Sequence, residues 1–520
     1  MEANRNIEMT RDNSSTDRAL RARLTAMLLL PSLSDVVFAT LLFLAAFGYL
    51  TQRLFDDGSV GWHIRSGQRI VRTASLPDSD PFSSASAGKS WYAWEWLFDV
   101  SAGAADTWRG LSGVALLAAV IIASTFSLAF RFTVERGAGV IAATLLLLLT
   151  LGVSMVHLLA RPHIATWLLA VLFFQVLDSA ERAPQTRRNL IWLPLLMAVW
   201  VNVHGGFVLG FTLWAFFLAS AVIRYFNSIK VEQYALFRWI SVLCLTGIGM
   251  LAMSLVNPYG YKLHAHVMGY LTNSYFMNHI DEFRSPDFHG GAQQAFIVLL
   301  LITILALTRS SRRVTLSQLM VVLFAIGSGL YATRNLPVSA LWLMMIVGPL
   351  LSDGAYEWLP RLRAFDQRMR RRELSPRLQV WPVLAVVAAL LICAKPGLVA
   401  EAKFSSTRFP AGAVDFLSRE RVEEPVFVPD SWGGYVIYRL YPQAKVVFDD
   451  RHDLLGQAAV EQYLQIVGAQ PGWQQALAAR DVNWMAVPSR SSLASAASLS
   501  PEWTQVYDDH VATVFHRAGK

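Results

Sequence analysis

Residues 34–70 read SDVVFATLLFLAAFGYLTQRLFDDGSVGWHIRSGQRI. The first half is an apolar run of roughly 20 residues, the length that crosses a bilayer as an α-helix. The second half turns polar at once, with two adjacent aspartates, a Trp-His pair and closely spaced glycines. A membrane span that is followed directly by such a polar segment predicts functional groups at the end of that span.

The whole chain has the composition of a polytopic membrane protein. Of its 520 residues, 54% are hydrophobic and 16% are charged, which excludes a string of soluble domains. The net charge is +8, but the basic residues fall between apolar runs, so they indicate topology rather than nucleic-acid binding. Cys244 and Cys393 lie inside apolar runs, which excludes a disulfide framework and a Cys-based metal site.

About eleven apolar runs are long enough to predict membrane spans. They cover residues 34–52, 111–130, 138–157, 164–179, 189–204, 206–224, 237–256, 293–309, 316–332, 336–352 and 379–399. The membrane part therefore extends over 34–399, and its first loop is 53–110.

Arginine and lysine set the predicted orientation. The N-terminal tail 1–33 is Arg-bearing, and every second loop is basic, most strongly 361–377. By the positive-inside rule these segments are cytoplasmic, and the first span is an uncleaved signal anchor. An odd number of spans then places 400–520 outside the cytoplasm.

The C-terminal residues 400–520 have ordinary polarity and predict a small α/β domain, because short β-rich runs alternate with helical patterns. The predicted strands are 425–429, 445–449, 483–487 and 511–515, and the predicted helices are 411–420, 456–468 and 472–480. The charged run 449–452 follows a predicted strand, where function is common, but a solvated loop is the favoured interpretation.

Unusual polar residues collect on the extracytoplasmic side. The first loop is rich in Asp, Glu and Trp, and the span ends 157–163, 202–206, 257–261 and 333–337 carry His, Arg, Asn and Tyr. Each motif alone could be a helix stop, a turn or part of an aromatic belt. Ionisable groups near membrane depth are costly, however, so their accumulation on one side predicts a functional cavity.

Such a cavity suits an anionic, lipid-linked substrate. Arg161 or Arg334 could hold a phosphate or pyrophosphate, because guanidinium matches phosphate geometry. A carboxylate could deprotonate an acceptor hydroxyl that attacks a sugar carbon. The sequence establishes no cofactor and no dedicated metal site; a divalent ion, Mg²⁺ or Mn²⁺, could use the paired oxygens of Asp56 and Asp57. Serine-hydrolase and P-loop ATPase motifs are both missing from the sequence.

From residue 35 to about 516 the chain resembles a group of bacterial multi-span membrane proteins similar to GT-C type glycosyltransferases. The resemblance rests on the order of these motifs: DDGSVGWHIRSGQRI, LPDSDPFSSASAGKSWYAWEWLFDV, ARPH, NVHGGF, NPYG, SPDFH, RNLP and WGGYVIYRLYPQAKVVFDDRHDL. It implies a helical membrane core whose first loop carries an acidic catalytic base or metal ligand, with a polyprenyl phosphate sugar as donor.

Asp57, with Asp56 beside it, stands where the resemblance places the acidic residue. The group often has Asp-x-Asp there, whereas this chain has Asp57-Gly58-Ser59, which favours a base over a bound metal. Asp78, Asp80 and Glu95 are the reserve acids, and Asp80 is equally well explained as the cap of a turn. The predicted substrate-binding residues are Trp62, His63, Asp78, Asp80, Arg161, His163, His204, Asn257, Tyr259 and Arg334.

The predicted function is transfer of a sugar from a polyprenyl phosphate donor to an extracytoplasmic lipid, glycan or protein acceptor, in the bacterial inner membrane. A transporter or flippase for a lipid-linked or anionic solute is one alternative, although it would favour polar groups at the membrane midplane. A non-catalytic assembly subunit is the other, because fold resemblance alone does not establish activity.

Overall fold

The computed structural model describes residues 29–375 and 377–519, and it is mostly helical. The N-terminal arginines that predict a cytoplasmic tail lie within residues 1–28, outside the described residues. The helices of the membrane part are α1 (Leu33–Phe47), α2 (Leu50–Arg53), α3 (Ser59–Thr73), α4 (Trp96–Glu135), α5 (Val140–Ser154), α6 (His163–Arg182), α7 (Trp192–Val203), α8 (Val208–Asn227), α9 (Lys230–Ser254), α10 (Tyr261–Leu271), α11 (Ser274–His279), α12 (Gly291–Arg309), α13 (Leu316–Tyr331), α14 (Leu336–Trp358), α15 (Pro360–Glu373) and α16 (Val380–Ala394). Short 3₁₀ helices cover Met155–His157, Pro184–Ile191, Gly205–Phe207, Asp281–Phe283 and Thr333–Asn335.

Every predicted span coincides with one of these helices. Among the described residues, 7 helices are long and apolar enough to cross a membrane, namely α4, α5, α6, α8, α9, α12 and α14. The apolar helices α1, α13 and α16 are shorter, and α7 has only 12 residues. The helical membrane class predicted from hydropathy is confirmed, with spans of unequal length.

Helix α4 is broken where the predicted second span begins. The backbone of Arg109 and Gly110 is non-helical, and Gly110 has a φ of 57°, a left-handed value that glycine adopts without strain. The segment before the break belongs to the first loop and crosses α3 at close range. A Cβ on Gly67 would lie only 1.7 Å from the Asp99 carbonyl oxygen, so glycine is required at this crossing.

The tail domain (residues 400–519) contains a four-stranded sheet of order β1-β2-β4-β3. Its strands are β1 (Val426–Phe427), β2 (Trp484–Pro488), β3 (Trp503–Asp508) and β4 (Ala512–Arg517), and its helices are α17 (Ala411–Arg419), α18 (Asp430–Leu440), α19 (His452–Leu455), α20 (Gln457–Val467), α21 (Trp473–Ala478) and α22 (Ser492–Ser498). β1 and β2 are parallel, whereas β4 pairs antiparallel with both β2 and β3. The predicted strand 445–449 contributes only isolated bridges through Val446.

The tail domain docks onto the first loop through a glycine contact. Gly434 of α18 faces the start of α3, and a Cβ there would lie 2.2 Å from the Gly58 carbonyl oxygen. Reciprocally, a Cβ on Gly61 would lie 2.2 Å from the Gly434 carbonyl oxygen. Backbones this close leave no room for a side chain. The glycines of the opening stretch therefore let α3 and α18 approach, and this contact fixes the tail domain over the first loop.

Replacing Gly434 with alanine is expected to lower the thermal unfolding midpoint of the purified protein. The added methyl group would force α3 and α18 apart, and overpacking of this kind costs about 1–3 kcal/mol. Gly327→Ala is the matched control, because no atom of the described residues lies within 4 Å of a Cβ built at Gly327 and alanine favours the helix. Equal midpoints for the two variants would contradict the glycine contact.

Candidate active site

A cavity of about 770 Å³ lies where the first loop, the ends of several membrane helices and the tail domain meet. We call it the loop–tail cavity. Most of the predicted site residues line it, although they come from distant parts of the chain. These are Asp56, Asp57, Trp62, His63, Glu95, Arg161, His163, His204 and Arg334.

Two predicted residues of the first loop lie away from the cavity lining. Asp78 is exposed to solvent. Asp80 is buried and accepts hydrogen bonds from the backbone N–H groups of Phe82 (2.9 Å) and Ser83 (3.1 Å), so it caps a turn, as its alternative interpretation holds.

The NPYG motif also lies outside the lining. The Asn257 side chain donates to the carbonyl oxygens of Ser254 (2.9 Å) and Gly260 (3.1 Å) and so closes a turn. The Tyr259 hydroxyl accepts a hydrogen bond of 2.8 Å from the backbone N–H of Ala93, which does line the cavity. Tyr259 thus supports the cavity wall from behind, and Asn257 holds the turn that carries Tyr259 by accepting a hydrogen bond of 2.8 Å from its backbone N–H.

Asp57 lies in an ion-paired chain with Arg161 and Glu282. Arg161 Nη1 is 2.8 Å from Asp57 Oδ2 and 2.8 Å from Glu282 Oε1. Burial opposes the charge on Arg161, but Asp57 and then Glu282 outweigh it and raise the pKa of the guanidinium. Burial likewise opposes the charge on Glu282, and Arg161 outweighs it and lowers that pKa. Sequence reasoning missed Glu282, although it lies in the polar stretch NHIDEFRSPDFH.

Asp57 is joined to a carboxylate of the tail domain through Ser59. The Ser59 hydroxyl lies 2.5 Å from Asp57 Oδ1 and also contacts Asp450 Oδ2. Trp62 Nε1 donates to the other oxygen of Asp450 at 3.0 Å. Ser59 stands where the resembling group often has a second aspartate. It thus links Asp57 to a carboxylate from another part of the chain, Asp450.

One of the two carboxyl groups at Ser59, Asp57 or Asp450, must carry a proton. A hydroxyl carries one proton, and an ionised carboxylate can only accept, so Ser59 cannot satisfy two ionised partners. Asp57 is paired with Arg161 at 2.8 Å, whereas Asp450 has no ion pair among the described residues, which leaves the proton on Asp450. Burial, followed by the nearby charge of Asp57, raises the pKa of Asp450 to about 7. Of the two carboxyl groups at Ser59, Asp450 is therefore the one whose environment favours the protonated form.

Glu95 lies between two imidazoles on another wall of the cavity. Its carboxyl oxygens are 3.8 Å from His63 Nε2 and 3.6 Å from His204 Nε2. His63 is oriented from behind by Asp99, at 2.7 Å from Nδ1, and His204 Nδ1 lies 2.9 Å from the Thr166 hydroxyl. Burial and then the charge of Asp99 raise the pKa of Glu95 well above its usual value.

The charged run after the predicted strand 445–449 is part of the site, so its interpretation as a solvated loop is wrong. Asp449 and Arg451 are buried. Arg451 Nη2 lies 2.5 Å from Asp449 Oδ2, and its Nη1 lies 2.9 Å from Asp80 Oδ1. The guanidinium also stacks over Trp91, 4.8 Å from the ring centroid. Burial of this run requires the first loop as a partner, which local sequence does not reveal.

The tail domain adds an Asp-His pair to the lining. His452 Nε2 is 3.2 Å from Asp430 Oδ2, and the Tyr463 hydroxyl donates to Asp430 Oδ1 at 2.8 Å. Burial opposes both charges, but the hydrogen bond between the two groups outweighs it, lowering the pKa of Asp430 and raising that of His452. The cavity thus combines ionisable groups from both parts of the chain.

The donor set does not gather around one point in the way a metal ion requires. Within residues 29–375 and 377–519, no group of three or more His, Cys, Asp or Glu side chains is arranged to hold a metal. Asp56 lies 3.1 Å from Arg408, and Asp57 is paired with Arg161. The carboxylates of the predicted metal ligands are thus each paired with a guanidinium group. A role for Mg²⁺ or Mn²⁺ stays a prediction.

No protein-family model and no curated protein matches the chain. Solved structures do resemble it. One is the archaeal oligosaccharyltransferase AglB from Archaeoglobus fulgidus in complex with an inhibitory peptide and a dolichol-phosphate, with a TM-score of 0.58, 10% identity, and coverage of 88% of this chain and 69% of that chain. The apo form of the Archaeoglobus fulgidus oligosaccharyltransferase gives a TM-score of 0.52 at the same identity and coverage.

A further similar structure is apo ArnT from Cupriavidus metallidurans, with a TM-score of 0.47, 14% identity, and coverage of 92% of this chain and 97% of that chain. The two oligosaccharyltransferase structures confirm, at the level of the fold, the resemblance predicted from the sequence. The chain has a helical membrane core and a small C-terminal sheet domain, with the fold of these solved oligosaccharyltransferase structures.

Proposed function

We propose that the protein transfers a sugar from a polyprenyl phosphate donor to an acceptor bound in the loop–tail cavity. The observation that carries this proposal is that one cavity is lined both by Arg334, a guanidinium with no ion pair among the described residues, and by Asp450, a buried carboxyl group whose pKa is raised. The fold supports it, because the similar archaeal structure is an oligosaccharyltransferase bound to a dolichol-phosphate. By its arginine distribution, the cavity opens on the extracytoplasmic side of a bacterial inner membrane.

Arg334 is the better phosphate anchor of the two predicted arginines. Arg161 is already paired with two carboxylates. Arg334 lies over the Phe283 ring at 4.5 Å, and it has no ion pair with any other residue of the described ranges. A guanidinium without a carboxylate partner can accept a phosphate at little cost. The donor's charged end would therefore lie against Arg334, at the junction of α13 and α14.

Apolar side chains supply a path for the polyprenyl chain. Val208 and Leu209 at the start of α8, and Val338 at the start of α14, line the cavity. These helices are long and apolar enough to cross a membrane. A lipid chain could then lie along the helices while its phosphate enters the polar part of the cavity.

In the proposed reaction, an acceptor hydroxyl oxygen bonds to the anomeric carbon of the sugar as the bond from that carbon to the phosphate oxygen breaks. Asp450 acts as general base in its ionised form, after it has released the proton that it holds beside Asp57, and it then takes up the proton of the acceptor hydroxyl. The polyprenyl phosphate leaves as an anion facing Arg334. Asp57, the base predicted from sequence, holds Ser59 and Arg161 in place in this scheme. It is the alternative base, because it contacts the same Ser59 hydroxyl as Asp450 does.

The test is transfer by the purified protein. Radiolabelled polyprenyl phosphate sugars are supplied with a membrane extract as acceptor, and label is expected to move from donor to acceptor. A protein that transfers label from none of the donors, and that exchanges a labelled solute across vesicle membranes, would instead be a transporter.

Arg334→Gln is expected to raise the KM for the donor by about 10- to 100-fold, which corresponds to the loss of one hydrogen bond to a charged group. The KM is measured in the same transfer assay. Arg284→Gln is the control, because Arg284 is an exposed arginine nearby whose ion pair with Asp281 is on the surface. If the two variants have the same KM, Arg334 does not bind the phosphate.

A further inference from the structure

A second, smaller cavity of about 280 Å³ lies at the other end of the membrane helices from the loop–tail cavity. Helix α6 shows the separation directly. His163 at its start lines the loop–tail cavity, and Arg182 at its end lines the second one. A helix of this length spans roughly 30 Å. The second cavity therefore lies on the face predicted to be cytoplasmic.

Arginines form the rim of this cavity, which we call the arginine pocket. They are Arg136, Arg182, Arg312 and Arg313. They come from the ends of two helices and from the loop between α12 and α13, so the fold brings together residues that are far apart in sequence.

The rim carries more positive charge than its carboxylates neutralise. Arg136 and Arg182 share one buried partner, Asp178, at 2.7 Å and 3.2 Å. Arg312 lies 3.6 Å from Asp353. Arg313 is exposed and has no ion pair within the part of the chain that the structure describes. In these ion pairs two carboxylates serve three guanidinium groups, and Arg313 adds a fourth, so the rim attracts an anion.

Part of the rim is held in place before any ligand arrives. The Arg136 guanidinium lies over the Phe132 ring at 4.7 Å, and Arg312 Nη1 donates to the Arg136 carbonyl oxygen at 3.3 Å. Arg136 Nε is buried and has no hydrogen-bond partner among the described residues. An N–H group in this position is costly unless something accepts from it.

The floor of the pocket is apolar and comes from α14. It consists of Met345, Ile346, Pro349 and Leu350. A basic pocket between membrane helices with an apolar floor matches an amphipathic anion, in which charged oxygens meet the rim and carbon atoms meet the floor.

We propose that the arginine pocket binds a phosphate group, supplied by the headgroup of an anionic phospholipid in the membrane. A soluble phosphate has the same charged chemistry, but the pocket lies at the ends of membrane helices, where phospholipid headgroups are concentrated. This site is independent of sugar transfer, because none of its residues lines the loop–tail cavity.

The test compares the thermal unfolding midpoint of the full-length protein in detergent with added phosphatidylglycerol, phosphatidylcholine or inorganic phosphate. Phosphatidylglycerol is expected to raise the midpoint by a few degrees, because a ligand that binds only the folded state stabilises it. Phosphatidylcholine is expected to have a much smaller effect. A rise produced equally by inorganic phosphate would support the phosphate site and assign it to a soluble anion. No rise with any of the three would overturn the proposal.

Variants separate the pocket from the general charge of this face. Arg182→Gln combined with Arg313→Gln should abolish the response to phosphatidylglycerol. Arg313→Gln alone should reduce it, and since this side chain is exposed and unpaired, folding is unaffected. The control is Arg188→Gln with Arg363→Gln, two exposed arginines of the same predicted face that lie outside the pocket. Equal responses in pocket and control variants would overturn the proposal.

Discussion

Replacing Asp450 with asparagine is expected to lower the rate of sugar transfer by about 100- to 10,000-fold, the usual contribution of a general base. Asparagine keeps the shape and the hydrogen bond from Trp62 but cannot take up the acceptor's proton. The rate is measured with saturating donor in the label-transfer assay. Asp415→Asn is the control, because Asp415 pairs with Arg439 on the tail surface and does not line the cavity; its rate should be unchanged.

The pH dependence of transfer tells Asp450 and Asp57 apart. A base acts only when it is ionised, so kcat/KM of the wild type should rise with pH and level off above about 7, the pKa of Asp450. Asp450→Asn should remove this rise from the residual activity. Asp57→Asn should keep a rise but move it to lower pH, because the charge of Asp57 helps to raise the pKa of Asp450. A rise that survives in Asp450→Asn and disappears in Asp57→Asn would make Asp57 the base.

Arg451→Met is expected to destabilise the docked tail domain by about 3–5 kcal/mol, the cost of breaking a buried ion pair by removing one partner. Asp80 and Asp449 would be left buried without a counter-charge, and both are nearly inaccessible, with side-chain exposures of 0% and 1%. The unfolding midpoint and the rate of proteolysis between the membrane part and the tail report the effect.

The matched control for Arg451→Met is Arg439→Met. Arg439 lies 2.6 Å from Asp415, but the two side chains are 36% and 59% exposed, and exposed pairs contribute at most about 1 kcal/mol. If both variants unfold at the same temperature, the buried cluster does not hold the tail in place.

Hydropathy was sufficient to predict the membrane helices, because the signal is local to each run of residues. The secondary structure of the tail domain was harder to predict. Its predicted helices and three of its four strands, β1, β2 and β4, are present. Strand β3 was missed because only its first residue is buried, so it lacks an apolar alternation. Helix α18 was missed because Gly433 and Gly434 disfavour a helix; packing of this segment against α3 outweighs the local preference.

Part of the site was also predictable, because its signal is local in the sequence. The first loop and the span ends were recognisable as polar residues where a membrane protein rarely has them. Asp450 and Arg451 gave only a weak signal, a charged run after a strand. Their roles depend on contacts with Ser59 and Asp80, more than 370 residues away along the chain, and a single sequence does not reveal such pairs.

Sugar transfer in the loop–tail cavity requires that this cavity bind a polyprenyl phosphate. A cryo-electron microscopy structure of the full-length protein with a polyprenyl phosphate would reveal where the lipid binds. We expect density for the phosphate within hydrogen-bond distance of Arg334, with the lipid chain leaving along α8 or α14. A phosphate bound elsewhere, with the loop–tail cavity unchanged by the lipid, would contradict it.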